Sequence, residues 1–345
     1  MTKVLTIFDR LEWASYIRGA AEYDFYHTWH YHNLENSLET NSRPLLFVYQ
    51  QDDDYIIFPL LERKIPETEF FDLTCVYGFS GPVSNKKMEN LEDGFIESFK
   101  DAFLSFLANG NYISVFIRMH PFYKQQKLLN KFGGVHSNGK TVVIDLLKSI
   151  DDQRKGYRQS TMDSIKHAWK KGYRVAEEKG ADALAIFTNI YNESMKRVGA
   201  ADSYLFNDQY FASICNTNEY DARVLMVYDG ATVMSSTIIT FTNDIIQAHL
   251  VGTRAEYLHK SPTKFLVDEI TLIGRREGMR YYNLGGGLGY KHDNLFEWKS
   301  AFSNLHFEFN TWRYIANPAI YQNLVAKKGI IDNAEIDFFP LYRYS

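Results

Sequence analysis

The sequence predicts an α+β protein of two domains in tandem, each a mixed sheet flanked by helices. Two observations carry that reading. The 345 residues exceed one ordinary core and suit two. A similar order of strand and helix patterns also runs through both halves. A hydrophobic content of 45% supplies ample cores and excludes a disordered chain. The expected domains are 1–148 and 149–345, with the site in the cleft between them. The apolar segment Ile336–Tyr342 is expected to cross back and add a strand to the first sheet.

In chain order, 45–50 (LLFVYQ) and 55–61 (YIIFPLL) are apolar runs joined by Asp52-Asp53-Asp54, which predicts a hairpin. Across 92–108 the spacing of Phe95, Ile96, Phe99, Phe103, Phe106 and Leu107 predicts a helix. Strands follow at 112–118 and 141–146. A polar, basic helix is expected over 151–171, between the halves. The second half reads as a strand at 172–177, a helix at 181–198, and three strands at 223–228, 232–241 and 245–252. A helix over 261–277 then leads to a strand at 279–284. Its punctuation is good, with Ser261 as N-cap, Pro262 at the first helical position and Gly278 at the end.

Basic and acidic residues nearly cancel, 38 against 42, for a net charge of −4. That argues against a general polyanion binder. The basic residues that do gather lie at Arg154, Lys155, Arg158, Lys166, Lys170, Lys171 and Arg174, ordinarily a solvated helix face. Two cysteines, Cys75 and Cys215, make no disulfide scaffold and suit a reducing, cytoplasmic setting. Cys75 reads as a small buried hydrophobe. No stretch reaches the roughly 18–20 apolar residues of a membrane span, and Met1-Thr2-Lys3-Val4 has no signal-peptide core. Aromatics at 16% suit cores, and also grooves that stack sugars or bases. His27 and His30 are expected on one helical face with His32 pointing elsewhere, and the three lack zinc spacing, so no metal is expected.

The segment 281–303, YYNLGGGLGYKHDNLFEWKSAFS, is the sharpest. A strand runs into Gly285-Gly286-Gly287, where backbone can approach a ligand closely. The spacing matches neither dinucleotide nor Walker fingerprints. Asn294 can cap the next helix, with Glu297 at the capping-box position. On that helix Leu295, Trp298 and Phe302 share a face, and Lys299 lies beside them. Its ammonium could stabilise an oxyanion or phosphate, or could simply snorkel from a helix flank. The start of the 261–277 helix, with Ser261, Lys260 and Lys264, is either an anion site or a well-capped end with solvated lysines. Arg118 could fork onto a carboxylate or phosphate, or close an internal salt bridge.

Asn283-Leu284-Gly285-Gly286, followed by Asn294 to Phe302 (NLFEWKSAF), resembles the ending of the Fem-type peptidoglycan-bridge aminoacyltransferases and their shorter relatives. Those proteins are built from two tandem acetyltransferase-like (GNAT-like) domains. Asp24-Phe25-Tyr26-His27-Thr28, Tyr77-Gly78-Phe79-Ser80-Gly81-Pro82 and Arg118-Met119-His120-Pro121 are similar to the N-terminal landmarks of the shorter relatives. Arg158 with Ile165-Lys166-His167-Ala168, and Tyr191, Met195, Arg197, Tyr204, Tyr210 and Phe211, are similar to the C-terminal ones. The ordered set covers nearly the whole chain.

This resemblance implies acyl transfer onto an amine of a sugar or cell-envelope precursor. Lys299 would stabilise charge, with His249 and His292 as candidate bases. Trp298, Arg158, Tyr77, Arg118, Tyr204 and Asn283 would bind substrate, and Gly285, Gly286, Ser261 and Lys264 the donor. Three departures bear on that expectation. The long helical arm associated with transfer RNA has no counterpart, which favours a small acyl-thioester such as acyl-CoA over aminoacyl-tRNA. The expected pyrophosphate loop instead reads Arg254-Ala255-Glu256-Tyr257-Leu258-His259-Lys260, without glycine, which weighs equally against acyl-CoA. Ser84 and Asn85 stand where larger relatives carry an acidic residue, which puts the same acceptor in doubt. The rival classes are an inactive module that binds a glycan or peptide, and a tRNA-dependent peptidoglycan-bridge transferase.

Overall fold

The structure, a computed structural model, describes residues 1–38, 42–330 and 336–344. The chain divides into unit 1, Met1–Asn138 with Glu308–Ser345, and unit 2, Gly139–Phe307. Both are mixed sheets flanked by helices.

Unit 1 opens with β1 (Thr2–Thr6), α1 (Arg10–Gly19) and α2 (Trp29–Leu38). The expected hairpin is β2 (Ser42–Gln51) and β3 (Asp54–Lys64), turned at Asp52, whose φ is 53°. Then come β4 (Phe71–Thr74), β5 (Val83–Ser84), α3 (Asp93–Asn109), β6 (Tyr112–Arg118) and the short α4 (Gln126–Leu129). Along α3 the apolar spacing places Ile96, Phe99, Phe103 and Leu107 on one buried face. Phe103 stacks on Phe58 at 5.3 Å and meets Phe47 edge-on at 5.1 Å, joining helix to hairpin.

Unit 2 takes most of β7 (Val135–Asp145), then α5 (Ile150–Lys155), α6 (Gln159–Lys171), β8 (Arg174–Glu178), α7 (Ala181–Arg197) and α8 (Asp208–Cys215). It continues through β9 (Asp221–Asp229), β10 (Thr232–Thr242), β11 (Ile245–Thr253), α9 (Pro262–Arg276), β12 (Tyr281–Gly285) and α10 (Asn294–Lys299). The sheet order is β7-β12-β11-β10-β9-β8, antiparallel except for the β11–β12 pair. Ile165 and Ala168 of α6 and Phe265, Leu266 and Ile270 of α9 bury against Ile239, Ile246 and Tyr282 of the sheet. The end of α9 is a Schellman closure: Met279 N–H donates to Gly274 O, and Gly278 N–H, at φ 73°, to Arg275 O. Buried Asp268 on α9 accepts from Arg154 (2.7 and 3.1 Å) and from Tyr157 (3.1 Å), tying α5 to α9.

The last part of the chain belongs to unit 1. β13 (Leu305–Ile315) pairs antiparallel with β6, completing the order β1-β2-β3-β4-β6-β13, and α11 (Pro318–Lys327) follows. Only β4 and β6 are parallel there.

Three expectations need correction. The helix expected over 151–171 is two helices, because Gly156 ends α5 and Arg158 N–H donates to Ala301 O, outside any helix. His27 and His30 share no helix, since His27 closes a 3-10 turn capped by Asp24. Ile336–Tyr342 forms no strand. The position beside β6 is taken by β13, and the tail is fixed by side chains: Tyr342 Oη donates to buried Asp72 (3.0 Å), and Arg343 donates to it too.

Gly252 shows how closely α7 lies on β11. A Cβ there would stand 2.8 Å from Ile190 O and 2.9 Å from Tyr191 Cα, both backbone atoms. Gly252→Ala should therefore cost about 1–3 kcal/mol in denaturant unfolding. Gly94→Ala on α3, where a Cβ meets nothing within 4 Å, should stay within about 0.5 kcal/mol of wild type.

Candidate active site

In unit 2, β11 and β12 pair at only three positions, ending with Gln247 opposite Asn283. β11 then runs on to Thr253, while β12 ends at Gly285 and turns away. Asn283 fixes the parting. Its Nδ2 donates to Gln247 Oε1 (2.8 Å), and its Oδ1 accepts from Gly285 N–H (3.0 Å). Both side chains are buried, so this amide pair holds the start of the glycine run in one conformation.

Gly285 has φ 77°, which disfavours any side chain, and a Cβ there would lie 3.2 Å from Lys299 Nζ. The next carbonyl, Gly286 O, accepts from Lys299 Nζ at 2.6 Å. The last residue of α10 thus rests its ammonium on bare backbone. Burial pushes that ammonium down to about 8, although Asp293 favours the charged form. Trp298 is half-buried, meets Phe302 edge-on at 5.3 Å and packs against the unit 2 core.

The N-cap of α10 is Asp293, one residue before the expected Asn294. Its carboxylate accepts from Phe296 N–H and Leu288 N–H, both at 2.8 Å, which holds its pKa below the usual range. Glu297 makes no capping box. It instead pairs with Arg158 and accepts from His292 Nε2 (3.0 Å). Arg158 thus meets an internal carboxylate, and an acidic ligand would have to compete with Glu297. His292 is exposed in the same cluster.

His249 is the extra residue of a β-bulge, since Ile238 faces Leu250 and Ile239 faces Ala248. Burial pushes its imidazole down to about 3, so it is neutral and a feeble base at neutral pH. Ser261 precedes α9 with φ 50° and makes no side-chain cap. That helix start offers fewer amides than expected, because Pro262 has none and Lys264 N–H donates to Ser261 O (3.0 Å). Lys264 Nζ reaches Ser160 O (3.4 Å), and burial lowers its pKa. Just before, Arg254 Nε is buried and has no hydrogen-bond partner among the described residues. Tyr204 is half-exposed in a 3-10 turn between α7 and α8.

Tyr77 and Arg118 belong to unit 1, where the three N-terminal landmarks converge. Tyr31 Oη donates to Tyr77 O (3.3 Å), Arg118 donates to Val76 O (3.0 Å), and His120 Nε2 meets Asp24 Oδ2 at 2.9 Å with both side chains buried. Sequence reasoning missed Gln247 and Asp293. A polar residue inside an apolar strand was the available signal for Gln247, and Asp three residues before Phe296 was the signal for the cap. No group of three or more His, Cys, Asp or Glu among the described residues could hold a metal.

Residues 155–300 match the acetyltransferase (GNAT) domain family. Unit 2 thus carries a GNAT acetyltransferase domain. Among solved structures the chain is similar to FemX, at 13% identity and TM-score 0.71, over 94% of this chain and 99% of that one. It is also similar to L-PGS from Bacillus licheniformis, at 14% identity and TM-score 0.59, over 92% and 96%. A third is the C-terminal domain of a putative lysylphosphatidylglycerol synthetase from Agrobacterium fabrum, at 12% identity and TM-score 0.54, over 82% and 87%. At these identities the likeness is one of fold. No curated protein matches the sequence.

Gly285→Ala tests whether the GNAT-domain glycine run seats the lysine. The left-handed φ should cost about 1–2 kcal/mol in unfolding free energy. The added Cβ should also displace the ammonium, moving the Lys299 titration away from about 8 in an NMR pH series.

Proposed function

We propose that this acyltransferase moves an acyl group from a small thioester to an amine of a sugar or cell-envelope precursor, with Lys299 steadying the tetrahedral oxyanion. The observation that carries the reading is the part-buried Lys299 ammonium, held on Gly286 O beside a side-chain-free backbone. A cation kept from bulk water stabilises developing negative charge far more than a solvated one. In the reaction the acceptor nitrogen attacks the thioester carbonyl carbon and forms the C–N bond. Collapse of the oxyanion breaks the C–S bond, and the thiolate leaves with its electron pair while the amine proton passes to solvent or a base.

Two features support a small anionic donor. Arg254 presents a guanidinium whose Nε has no partner, on the loop between β11 and α9, and so fits a donor phosphate. The basic stretch 154–174 is largely spent internally: Arg154 on Asp268, Lys155 on Asp152, Arg158 on Glu297, and Arg174 over the Tyr228 ring. Lys166, Lys170 and Lys171 stay exposed, a short cluster on one helix and not the extended surface that transfer RNA needs. The cell-envelope part of this reading draws support from the lysylphosphatidylglycerol synthetase named among the structural neighbours, although the phosphatidylglycerol in that name offers a hydroxyl and not an amine. That same name favours a second reading, in which the group moved is aminoacyl.

Lys299→Met should lower kcat by about 10²–10³, the scale for one oxyanion-stabilising group. Its melting temperature should hold or rise slightly, since burial works against the ammonium. An unchanged rate would remove Lys299 from the mechanism. Calorimetric titration with acetyl-CoA and with charged transfer RNA, each at two salt concentrations, separates the donors. CoA binding that disappears in Arg254→Gln is expected. Steeply salt-dependent RNA binding without a CoA signal would establish the second reading instead.

A further inference from the structure

Most cations of unit 2 have a carboxylate beside them. Arg154 pairs with Asp268, Arg197 with Glu193, Arg223 with Asp221, and Lys260 with Asp229. The end of α6 departs from that rule. Lys166, Lys170 and Lys171 are exposed there and make no ion pair among the described residues. Arg174, just past the helix, lies 3.9 Å over the Tyr228 ring and makes no ion pair either. The acidic residues nearest in sequence are engaged elsewhere. Asp163 accepts from Gln159 Nε2 (2.7 Å), Glu177 from Lys179 (3.0 Å), and Glu178 from Tyr228 Oη (2.9 Å).

The fold fixes this face outward. Thr161, Ile165 and Ala168 are the buried side of α6, so the helix cannot roll its lysines toward a carboxylate. Gly172, at φ 72°, closes the helix, and Tyr173 N–H donates to Ala168 O (3.0 Å). Among the lysines Trp169 is 41% exposed, with the Arg154 guanidinium 4.7 Å from its ring centre. A large indole is thus held at the surface inside a cluster of unpaired cations.

We propose that this end of α6 is a docking surface for an anionic lipid membrane. It gives a local positive face to a chain whose net charge is −4. Three of its four cations are lysines, compact point charges on flexible stems, which suit a sheet of headgroups with no fixed geometry. A carboxylate on a protein partner would instead favour the guanidinium fork. The indole adds the group that settles at headgroup level. Lys166 to Lys171 span only about 9 Å of helix, short of the track an RNA backbone needs. Because the apolar stripe of α6 stays in the core, attachment is by charge with one shallow anchor, and salt weakens it.

Co-sedimentation of the full chain with phosphatidylglycerol–phosphatidylcholine vesicles, against phosphatidylcholine alone, tests this without any acyl donor. Its failure would therefore leave the Lys299 reading untouched. The wild type should pellet with the anionic vesicles only, and less so as salt rises. Lys166→Gln, Lys170→Gln and Lys171→Gln together, at unchanged circular dichroism, should bind at least about tenfold more weakly. Arginine at the same three positions should restore binding, since charge and not the lysine itself is read. Equal pelleting of wild type and the glutamine variant would overturn the proposal. So would RNA binding by the wild type that the glutamine variant loses, with no vesicle binding at low salt, since the patch would then serve a nucleic acid.

Discussion

An ammonium drawn away from bulk water must find carbonyl oxygens in its place, and the approach of Lys299 to Gly286 O needs backbone without side chains beneath it. Gly285 meets this need twice, by its left-handed φ and by the space its missing Cβ leaves 3.2 Å from Nζ. Everything else around the site in unit 2 serves that contact. Asn283, tied to Gln247, sets the angle at which β12 releases the glycines. Asp293 anchors the loop and starts the helix that ends in Lys299. The buried Asp268–Arg154 pair and the α6–α9 core hold the sheet from which β12 emerges.

The early parting of β11 and β12 has a chemical consequence. Parallel strands that separate leave edge amides and carbonyls of β11 without a strand partner on that side, and a ligand can take their place. The bulge at His249 sharpens the local twist at that point. His249 itself, neutral and buried, acts through shape more than through proton transfer.

Much of the fold was legible because apolar period and punctuation agreed. The three strands from 221 to 253 and the helices α3, α7 and α9 stand within two residues of expectation. β1, β4 and β13 were not legible. β1 and β4 are only five and four residues long, and β13 (LHFEFNTWRYI) mixes polar and aromatic positions with an irregular burial pattern. The break at Gly156–Arg158 depends on Ala301, a partner 143 positions away, which no local pattern records. At the site, Lys299 and the glycines could be read as an aromatic-flanked lysine after a flexible loop. The hydrogen bond that joins them could not, since it depends on how α10 folds back. Arg158 illustrates the limit from the other side: its charge was visible, and the Glu297 that answers it was not.

The central claim, that Lys299 acts as a cation, is tested most directly by the pH dependence of kcat once a donor and acceptor are in hand. With burial holding the ammonium at about 8, the wild-type rate should fall as pH rises through that value and the charge is lost. Lys299→Arg, whose guanidinium stays charged, should keep residual activity and lose that alkaline fall. An alkaline limb that is the same in wild type and in Lys299→Arg would show that the Lys299 charge does not set the rate, and it would contradict the account.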